Sequence, residues 1–159
     1  MKEVLIKLYS FDELEDTAKQ EARNWWREGD CFSWENESRQ SIYAFVDYFR
    51  VKLKDWGVDD STYFYRTDAD NANFRGMKLA HFARDYIPTG YILDSYLWET
   101  FYDAFKASGD AKQAFYDGLD AGFKAWRDDM AWQLSDEAID ETLIINDYEF
   151  MEDGSRARY

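Results

Sequence analysis

Carboxylate side chains are the groups in this sequence that could most readily do chemistry. Adjacent acidic pairs such as Asp128-Asp129 and Asp136-Glu137 could supply the acid and the base of a hydrolytic reaction. Such a reaction also needs a cleft and a defined separation between the two groups. With 33 Asp and Glu residues among 159, acidic pairs occur throughout the chain, so no single pair indicates a catalytic site.

Other catalytic and cofactor motifs are missing from the sequence. The one cysteine, Cys31, and the one histidine, His81, are fifty positions apart, which is weak support for a Cys–His nucleophile. No glycine-rich phosphate loop, nucleophile-elbow motif or histidine pair for a metal occurs. The sequence therefore predicts a protein that is not an enzyme and that binds no cofactor.

A short acidic segment has the first residues of a calcium-binding loop. Asp68 and Asp70 occupy the first and third positions, but Ala72 and Leu79 stand at the fifth and twelfth, where calcium needs oxygen ligands. We therefore predict no metal site here. Because Asp68, Asp70 and Asn71 favour turn conformations, we interpret them as a turn, with contact to a partner as a less favoured role.

Net charge narrows the classes of partner. The chain has 19 Lys and Arg residues against 33 Asp and Glu residues, a formal net charge of −14. This excess repels phosphates, so direct binding to DNA or RNA is not expected, whereas a basic protein would be attracted. Charge that serves only solubility explains the same composition, and the sequence leaves both alternatives open.

The acidic residues are concentrated towards the C-terminus. Residues 94–153 contain sixteen acidic residues and four basic ones. A helix predicted over residues 110–134 should turn its apolar stripe to the core and its carboxylates outward, and a helix over residues 135–145 extends the negative surface. A row of carboxylates on a helix can imitate the charge of a nucleic acid. The predicted partner-binding surface comprises Asp117, Asp120, Asp128, Asp129, Asp136, Glu137, Asp140 and Glu141.

The elements that would position these side chains begin with an extended segment. A run of β-branched and apolar residues predicts a strand over residues 3–8. A helix is predicted to follow it, with Ser10 and Glu13 forming a capping box at its start. Helical spacing predicts a second helix from residue 33 to just before Gly57, because glycine suits the end of a helix. Three more helices are predicted over residues 96–107, 110–134 and 135–145, and a last strand over residues 148–151.

A change to strand-like spacing predicts a β-hairpin over residues 62–79. Residues 62–66 and 73–79 would form its strands, with the turn at residues 68–71. Ala114, Gly118 and Gly122 recur every four residues, which predicts close packing of another element against that face. The whole pattern predicts a single α+β domain over residues 1–159, with a small antiparallel sheet of about three or four strands packed against about four or five helices.

The sequence also bears on location. No apolar run approaches the roughly 18 residues of a membrane span, and the first residues lack the apolar core of a signal peptide. We therefore expect a cytoplasmic protein that makes no contact with a membrane.

Three stretches together resemble a group of small acidic proteins from tailed phages and prophages, some of which carry an antitoxin-like label. The stretches are residues 8–14 (LYSFDEL), the predicted hairpin with its end at residues 73–76 (NFRG), and residues 146–154 (NDYEFMEDG). The resemblance implies phage origin, the host cytoplasm as location, and a small protein that blocks a host protein or defence complex. Relatives have a Gln-Gly-Asp-Gly type of turn where this chain has residues 68–71 (DADN).

Three functional hypotheses follow. The leading one is a phage-type, non-enzymatic inhibitor whose acidic surface binds a basic, nucleic-acid-binding host protein, as an anti-defence or anti-CRISPR-like protein or a nucleic-acid mimic would. The second is an antitoxin-like protein that neutralises a cognate toxin. The third is a small enzyme with an unrecognised carboxylate site, which a pocket holding carboxylates of perturbed pKa would indicate.

Overall fold

The structure, a computed structural model, describes residue 3 and residues 5–29 and 32–157. This part of the chain contains five α-helices and two antiparallel sheets of two strands each, so the fold class is α+β, as predicted. No helix in the described part is long and apolar enough to cross a membrane.

Contacts within the chain group it into two compact units. The terminal unit consists of Met1–Ser33 and Trp132–Tyr159, and the central unit is Trp34–Ala131. A single domain over residues 1–159 stays a prediction.

In the terminal unit a short sheet joins the two ends of the chain. Strand β1 (Tyr9–Ser10) pairs antiparallel with strand β4 (Glu149–Phe150). Helix α1 (Asp16–Glu28) packs with helix α5 (Asp136–Ile145). The apolar residues that become buried between these elements are Phe11, Leu14, Ala18, Ala22, Ile139, Leu143 and Phe150.

The predicted strand over residues 3–8 is wrong for the residues that the structure describes there, since β-pairing begins only at Tyr9. Strand β4 offers just two residues for pairing, which leaves the earlier segment without a partner strand. The predicted capping box does form: the backbone N–H and Oγ of Ser10 both donate to Glu13 Oε1, at 3.0 and 2.9 Å. It closes a 3-10 turn, because Leu14 is extended, and α1 starts two residues later.

In the central unit, helices α2 (Glu35–Tyr48), α3 (Leu93–Ser108) and α4 (Ala111–Gln133, whose last two residues belong to the terminal unit) surround an aromatic core. The ring of Phe45, fully buried, lies 4.9 Å from that of Trp98, 5.3 Å from that of Phe49 and 5.4 Å from that of Phe115 between centroids. Edge-to-face and stacked pairs at these distances add to the free energy of burial.

The small-residue row of α4 packs closely, as predicted. A Cβ atom on Gly118 would lie 2.7 Å from the backbone oxygen of Leu97 and 3.0 Å from the ring of Phe45. A Cβ on Gly122 would collide with the side chain of the same leucine. Glycine at these positions therefore lets α3 and α2 approach α4 more closely than a larger residue would allow.

The hairpin exists, but its strands differ from the predicted ones. Strand β2 (Leu53–Val58) pairs with strand β3 (Tyr63–Thr67), and residues 59–62 form the turn. Residues 73–79, the predicted second strand, instead lie mostly in and between 3-10 turns at Asn71–Phe74 and Leu79–His81. In the part of the chain that the structure describes, the strands form two separate pairs, where one sheet of about three or four strands was predicted.

The early end of α2 explains the difference. Arg50 adopts a left-handed backbone (φ +58°), and the amides of Arg50 and Val51 donate to the carbonyls of Asp47 and Val46. This is the Schellman pattern of helix termination, which usually has glycine at the left-handed position. Because arginine and not glycine stands there, no residue type marks this helix end, and the helix was predicted to continue to just before Gly57.

Candidate functional site

The predicted acidic surface is divided between the two units. Asp117, Asp120, Asp128 and Asp129 lie on α4 in the central unit, whereas Asp136, Glu137, Asp140 and Glu141 lie on α5 in the terminal unit. Each set is a candidate surface of its own unit. Their role in binding stays a prediction.

On α4, Asp120 faces the hairpin and not the solvent. Its Oδ1 accepts hydrogen bonds from the hydroxyls of Tyr63 at 3.0 Å and Tyr65 at 3.3 Å. Burial, together with the charge and hydrogen bonding of Asp120, raises the pKa of both tyrosines above its ordinary value. The expectation that Asp120 points outward is wrong, because two phenols of β3 need an acceptor in a half-buried place.

The other three α4 carboxylates are exposed. Asp117 accepts a hydrogen bond from Gln113 at 3.0 Å, and Asp128 pairs with its neighbour Arg127 at 3.1 Å. Eleven residues separate Asp117 from Asp128, about 16 Å of helix rise, and helical geometry puts Lys124 on the same face between them. The row is therefore sparse, and a cation interrupts it.

On α5, two of the four carboxylates are paired with arginines of α1. Arg23 donates from Nε and Nη2 to the two carboxylate oxygens of Asp140, both at 2.7 Å. Arg27 donates to Asp136, and this hydrogen bond lowers the pKa of that carboxyl group. Glu137 and Glu141 are exposed. The two arginines, which precede α5 by more than a hundred positions, thus offset the charge of two of the four carboxylates predicted to bind a partner there.

The segment predicted as the hairpin turn has a structural role after β3. Asp68 Oδ1 accepts a hydrogen bond from the backbone of Lys52 at 2.7 Å, and Asp70 caps the following 3-10 turn by accepting from Ala72 at 2.9 Å. Asn71 is the first residue of that turn and is exposed. The hairpin turn itself is stabilised by Asp59, whose carboxylate accepts from the backbones of Ser61 and Thr62.

The structure describes only one of the two residues considered for a Cys–His nucleophile. His81 Nδ1 accepts a hydrogen bond from the backbone of Lys78 at 3.3 Å, whereas Cys31 lies outside the described residues. Within residue 3 and residues 5–29 and 32–157, no group of three or more His, Cys, Asp and Glu side chains is arranged to hold a metal ion.

An acidic cleft of about 630 Å³ lies in the terminal unit. Five carboxylates line it, contributed by the start of α1 and by the turn after β4: Glu13, Glu15, Glu21, Glu152 and Asp153. Two of these groups also hold local structure. A hydrogen bond from the backbone of Ser10 lowers the pKa of Glu13, and one from Ser155 lowers that of Asp153.

The backbone of this cleft is fixed at one close contact. Gly154 has φ +88°, and a Cβ there would collide with the carbonyl oxygen of Ala18 on α1. The turn that carries Glu152 and Asp153 therefore rests directly on the helix that carries Glu21. The acidic cleft was not predicted from the sequence, because the residues of its two walls are more than a hundred positions apart in the chain.

The charge of the two units differs in density. The terminal unit has sixteen acidic and seven basic residues, a net charge of −9, although it is the smaller unit. The larger central unit has seventeen acidic and twelve basic residues, a net charge of −5. Folding thus brings acidic residues from near the N-terminus and from near the C-terminus into one unit. The order of acidic residues in the sequence does not reveal this.

A second cleft, of about 540 Å³, lies in the central unit between the starts of α2 and α3 and one side of α4. We call it the aromatic cleft. Its lining includes exposed apolar side chains from the start of α2, from the segment before α3 and from α3 itself: Trp34, Tyr91, Ile92 and Tyr96. Large apolar residues beside Pro88 and Gly90 in a segment without helical or strand spacing were the available signal.

Asp94 fixes the loop at the edge of this cleft. Its carboxylate is fully buried and accepts hydrogen bonds from the backbones of Thr89 and Gly90 at 3.0 and 2.8 Å, and from the Thr89 hydroxyl at 2.8 Å. That hydroxyl also lies 3.0 Å from Ser41 Oγ on α2. A buried carboxylate with several donors is well satisfied, so the loop is held in one conformation.

No family model, curated protein or solved structure matches the chain.

Proposed function

We propose that the chain is a phage-type, non-enzymatic inhibitor whose acidic terminal unit binds a basic surface of a host protein. The observation that carries the proposal is the acidic cleft, where five carboxylates from both ends of the chain line one concave surface of a unit with a net charge of −9. The resemblance to small phage proteins supports the class of partner.

A cleft of this kind would act by attraction followed by steric occlusion. Complementary charge speeds the encounter of two proteins and orients them, and salt weakens this contribution. Glu15, Glu21 and Glu152 are exposed and take part in no ion pair in the described part of the chain, so they are available to cations of a partner. The partner would then be unable to use the basic surface that the inhibitor covers.

Hydrogen bonds favour the charged form of two carboxyl groups in the acidic cleft. The backbone N–H of Ser10 lowers the pKa of Glu13, and Ser155 lowers the pKa of Asp153. A carboxylic acid that donates a proton near neutral pH needs a raised pKa. These carboxylates are suited to remain charged, as an electrostatic contact requires.

Imitation of a nucleic acid by α4 has less support. Duplex DNA presents about one charge per 1.7 Å of its axis. Asp117 and Asp128 are about 16 Å apart along the helix, with Lys124 between them. The proposal therefore places the main contact at the acidic cleft and not on a row of helix carboxylates.

Capture from a host lysate at two salt concentrations tests the proposal. We expect the immobilised chain to retain a basic protein at about 50 mM salt and to release most of it at about 500 mM, where screening shortens the range of charge attraction to a few ångströms. A lysate from which nothing is retained at low salt, or retention that salt does not change, would contradict the proposal. A retained protein that is encoded beside this chain and is toxic alone would assign the antitoxin-like alternative instead.

A further inference from the structure

The aromatic cleft of the central unit combines apolar walls with an acidic rim. Its wall contains three aromatic residues that are 66%, 37% and 50% exposed, Trp34, Tyr91 and Tyr96. The floor includes Trp126, which is buried and packs at 5.6 Å from the ring of Trp56. Isolated surface aromatics are ordinary, but several that line one concave surface indicate a binding site.

The rim of the cleft carries three carboxylates, those of Glu37, Asp128 and Asp129. Glu37 is half-buried and forms no ion pair with a residue in the described part of the chain. No Lys or Arg side chain is among the residues that line the cleft. The cleft therefore offers negative charge next to aromatic rings, which is the combination that attracts an organic cation.

Two helix starts at the cleft act in the opposite direction. The N-termini of α2 and α3 each carry about half a positive charge, which would favour an anion. Glu37 and the buried Asp94 lie in the first turns of these two helices, where carboxylate side chains offset the helix dipoles. Asp128, which pairs with Arg127, and Asp129 also lie on the rim, so the side chains that line the cleft include three carboxylates and no cation.

The cleft is preorganised. Trp34 adopts a left-handed backbone (φ +68°), and its carbonyl accepts the amide of Ser38 at 2.9 Å, which sets the residue at the start of α2. On the other side, the hydrogen bonds of Asp94 to Thr89 and Gly90 hold the loop before Tyr91. Two walls that are fixed before binding lose little conformational entropy when a ligand enters.

We propose that the aromatic cleft binds an arginine side chain of a basic partner protein. A guanidinium group is planar, stacks on aromatic rings, and pairs with carboxylates through a fixed fork of donors, so it suits these walls and this rim better than an ammonium group. That the arginine side chain belongs to a protein rests on the proposed function. That the aromatic cleft binds a cation rests only on the residues that line it.

NMR titration of the ¹⁵N-labelled 19.0 kDa chain tests the site. The probe is the peptide acetyl-Gly-Arg-Gly-amide, and its matched control has citrulline, the uncharged isostere, in place of arginine. The expected result is a saturable shift of the Trp34 indole N–H, assigned from a Trp34→Phe variant, with the arginine peptide and none with the citrulline peptide. No shift at Trp34 with the arginine peptide, or an equal shift with citrulline, would overturn the proposal.

Variants separate the cleft from general charge. Trp34→Ala should weaken binding of the arginine peptide about tenfold, and Glu37→Gln about fivefold. Phe64→Ala removes an exposed ring outside the cleft, and Asp60→Asn removes one charge outside it, and both should change the affinity less than about twofold. Equal losses from Glu37→Gln and Asp60→Asn would show that net charge alone attracts the peptide.

Two further results have distinct meanings. A glutamate peptide that shifts Trp34 more than the arginine peptide does would mean that the helix N-termini dominate, and it would overturn the cation site. Loss of partner capture on substitution of the acidic cleft, with an unchanged arginine titration, would support both proposals, because the two clefts would then act independently. An arginine peptide that binds while the lysate yields no salt-sensitive partner would support the site and contradict the proposed function.

Discussion

The two units of this chain are stabilised in different ways. The central unit has an aromatic core in which the rings of Phe45, Trp98 and Phe49 lie within 6 Å of one another. In the terminal unit, a smaller core that includes the rings of Phe11 and Phe150 is supplemented by the pairing of Arg23 and Arg27 with α5. The terminal unit, which has the smaller aromatic core, also carries most of the excess negative charge.

This arrangement has an energetic consequence. Like charges on a compact unit repel one another, and the −9 of the terminal unit opposes its folding. Arg23 and Arg27 offset part of that repulsion at α5, while Glu15, Glu21 and Glu152 are left available at the acidic cleft. The terminal unit thus retains charge where a partner could use it and neutralises charge where two helices meet.

The largest expected effect is on the core of the central unit. Phe45→Ala should lower the free energy of unfolding by about 3–5 kcal/mol, since a fully buried ring in contact with several others leaves a cavity. Chemical denaturation followed by near-UV circular dichroism measures the loss. The control is Phe64→Ala, at a ring that is 54% exposed, for which we expect a loss below about 1 kcal/mol. Similar losses from the two variants would contradict the aromatic core.

A smaller effect is expected on the ion pairs of the terminal unit. Asp140→Asn should cost about 1–2 kcal/mol, because the two short hydrogen bonds from Arg23 lose their charged acceptor. Hydrogen exchange should become faster in α1 and α5 and remain unchanged in α3. Glu137→Gln removes the same charge from the same helix at an exposed position and should cost less than about 0.5 kcal/mol. If the two variants behave alike, the pairing with α1 does not stabilise this unit.

The response to pH should distinguish the units further. Because the pKa values of Tyr63 and Tyr65 are raised, their contribution to stability is present below pH 10 and is lost as the pH rises through their folded values. Absorbance at 295 nm should show these two phenols ionising after exposed tyrosines, and Asp120→Asn should move them to lower pH. Unchanged ionisation in this variant would mean that Asp120 does not set these pKa values.

Local signals allowed several elements to be predicted from the sequence. Ser135 caps α5 by accepting the amide of Ala138 at 3.2 Å, and Asp110 accepts the amide of Gln113 at 3.1 Å at the start of α4, both as their types and positions indicate. The close packing at Gly118 followed from spacing alone. Such features depend on a few neighbouring residues, and a sequence displays them directly.

Features that depend on the whole fold were not predictable in this way. Arg50 ends α2 in a conformation that glycine usually adopts, so the strand at Leu53–Val58 was taken for helix. The acidic cleft brings Glu21 and Glu152 to one surface from opposite ends of the chain. Asp120 was expected to face the solvent because it lies off the apolar stripe of its helix. The two tyrosines that donate hydrogen bonds to it come from a strand more than fifty residues earlier, so the contact could not be predicted.

The most direct measurement compares two charge-matched variants for binding to the protein captured at low salt. One variant, Glu15→Gln/Glu21→Gln/Glu152→Gln, neutralises three carboxylates of the acidic cleft. The other, Asp47→Asn/Asp55→Asn/Asp60→Asn, removes the same charge from exposed positions of the central unit outside the aromatic cleft.

We expect at least about a tenfold loss of affinity for the first variant and less than about a twofold loss for the second, at the same salt concentration and with unchanged circular dichroism. Equal losses would show that attraction depends on net charge and not on the acidic cleft. A larger loss from the second variant would contradict the assignment of partner binding to the terminal unit.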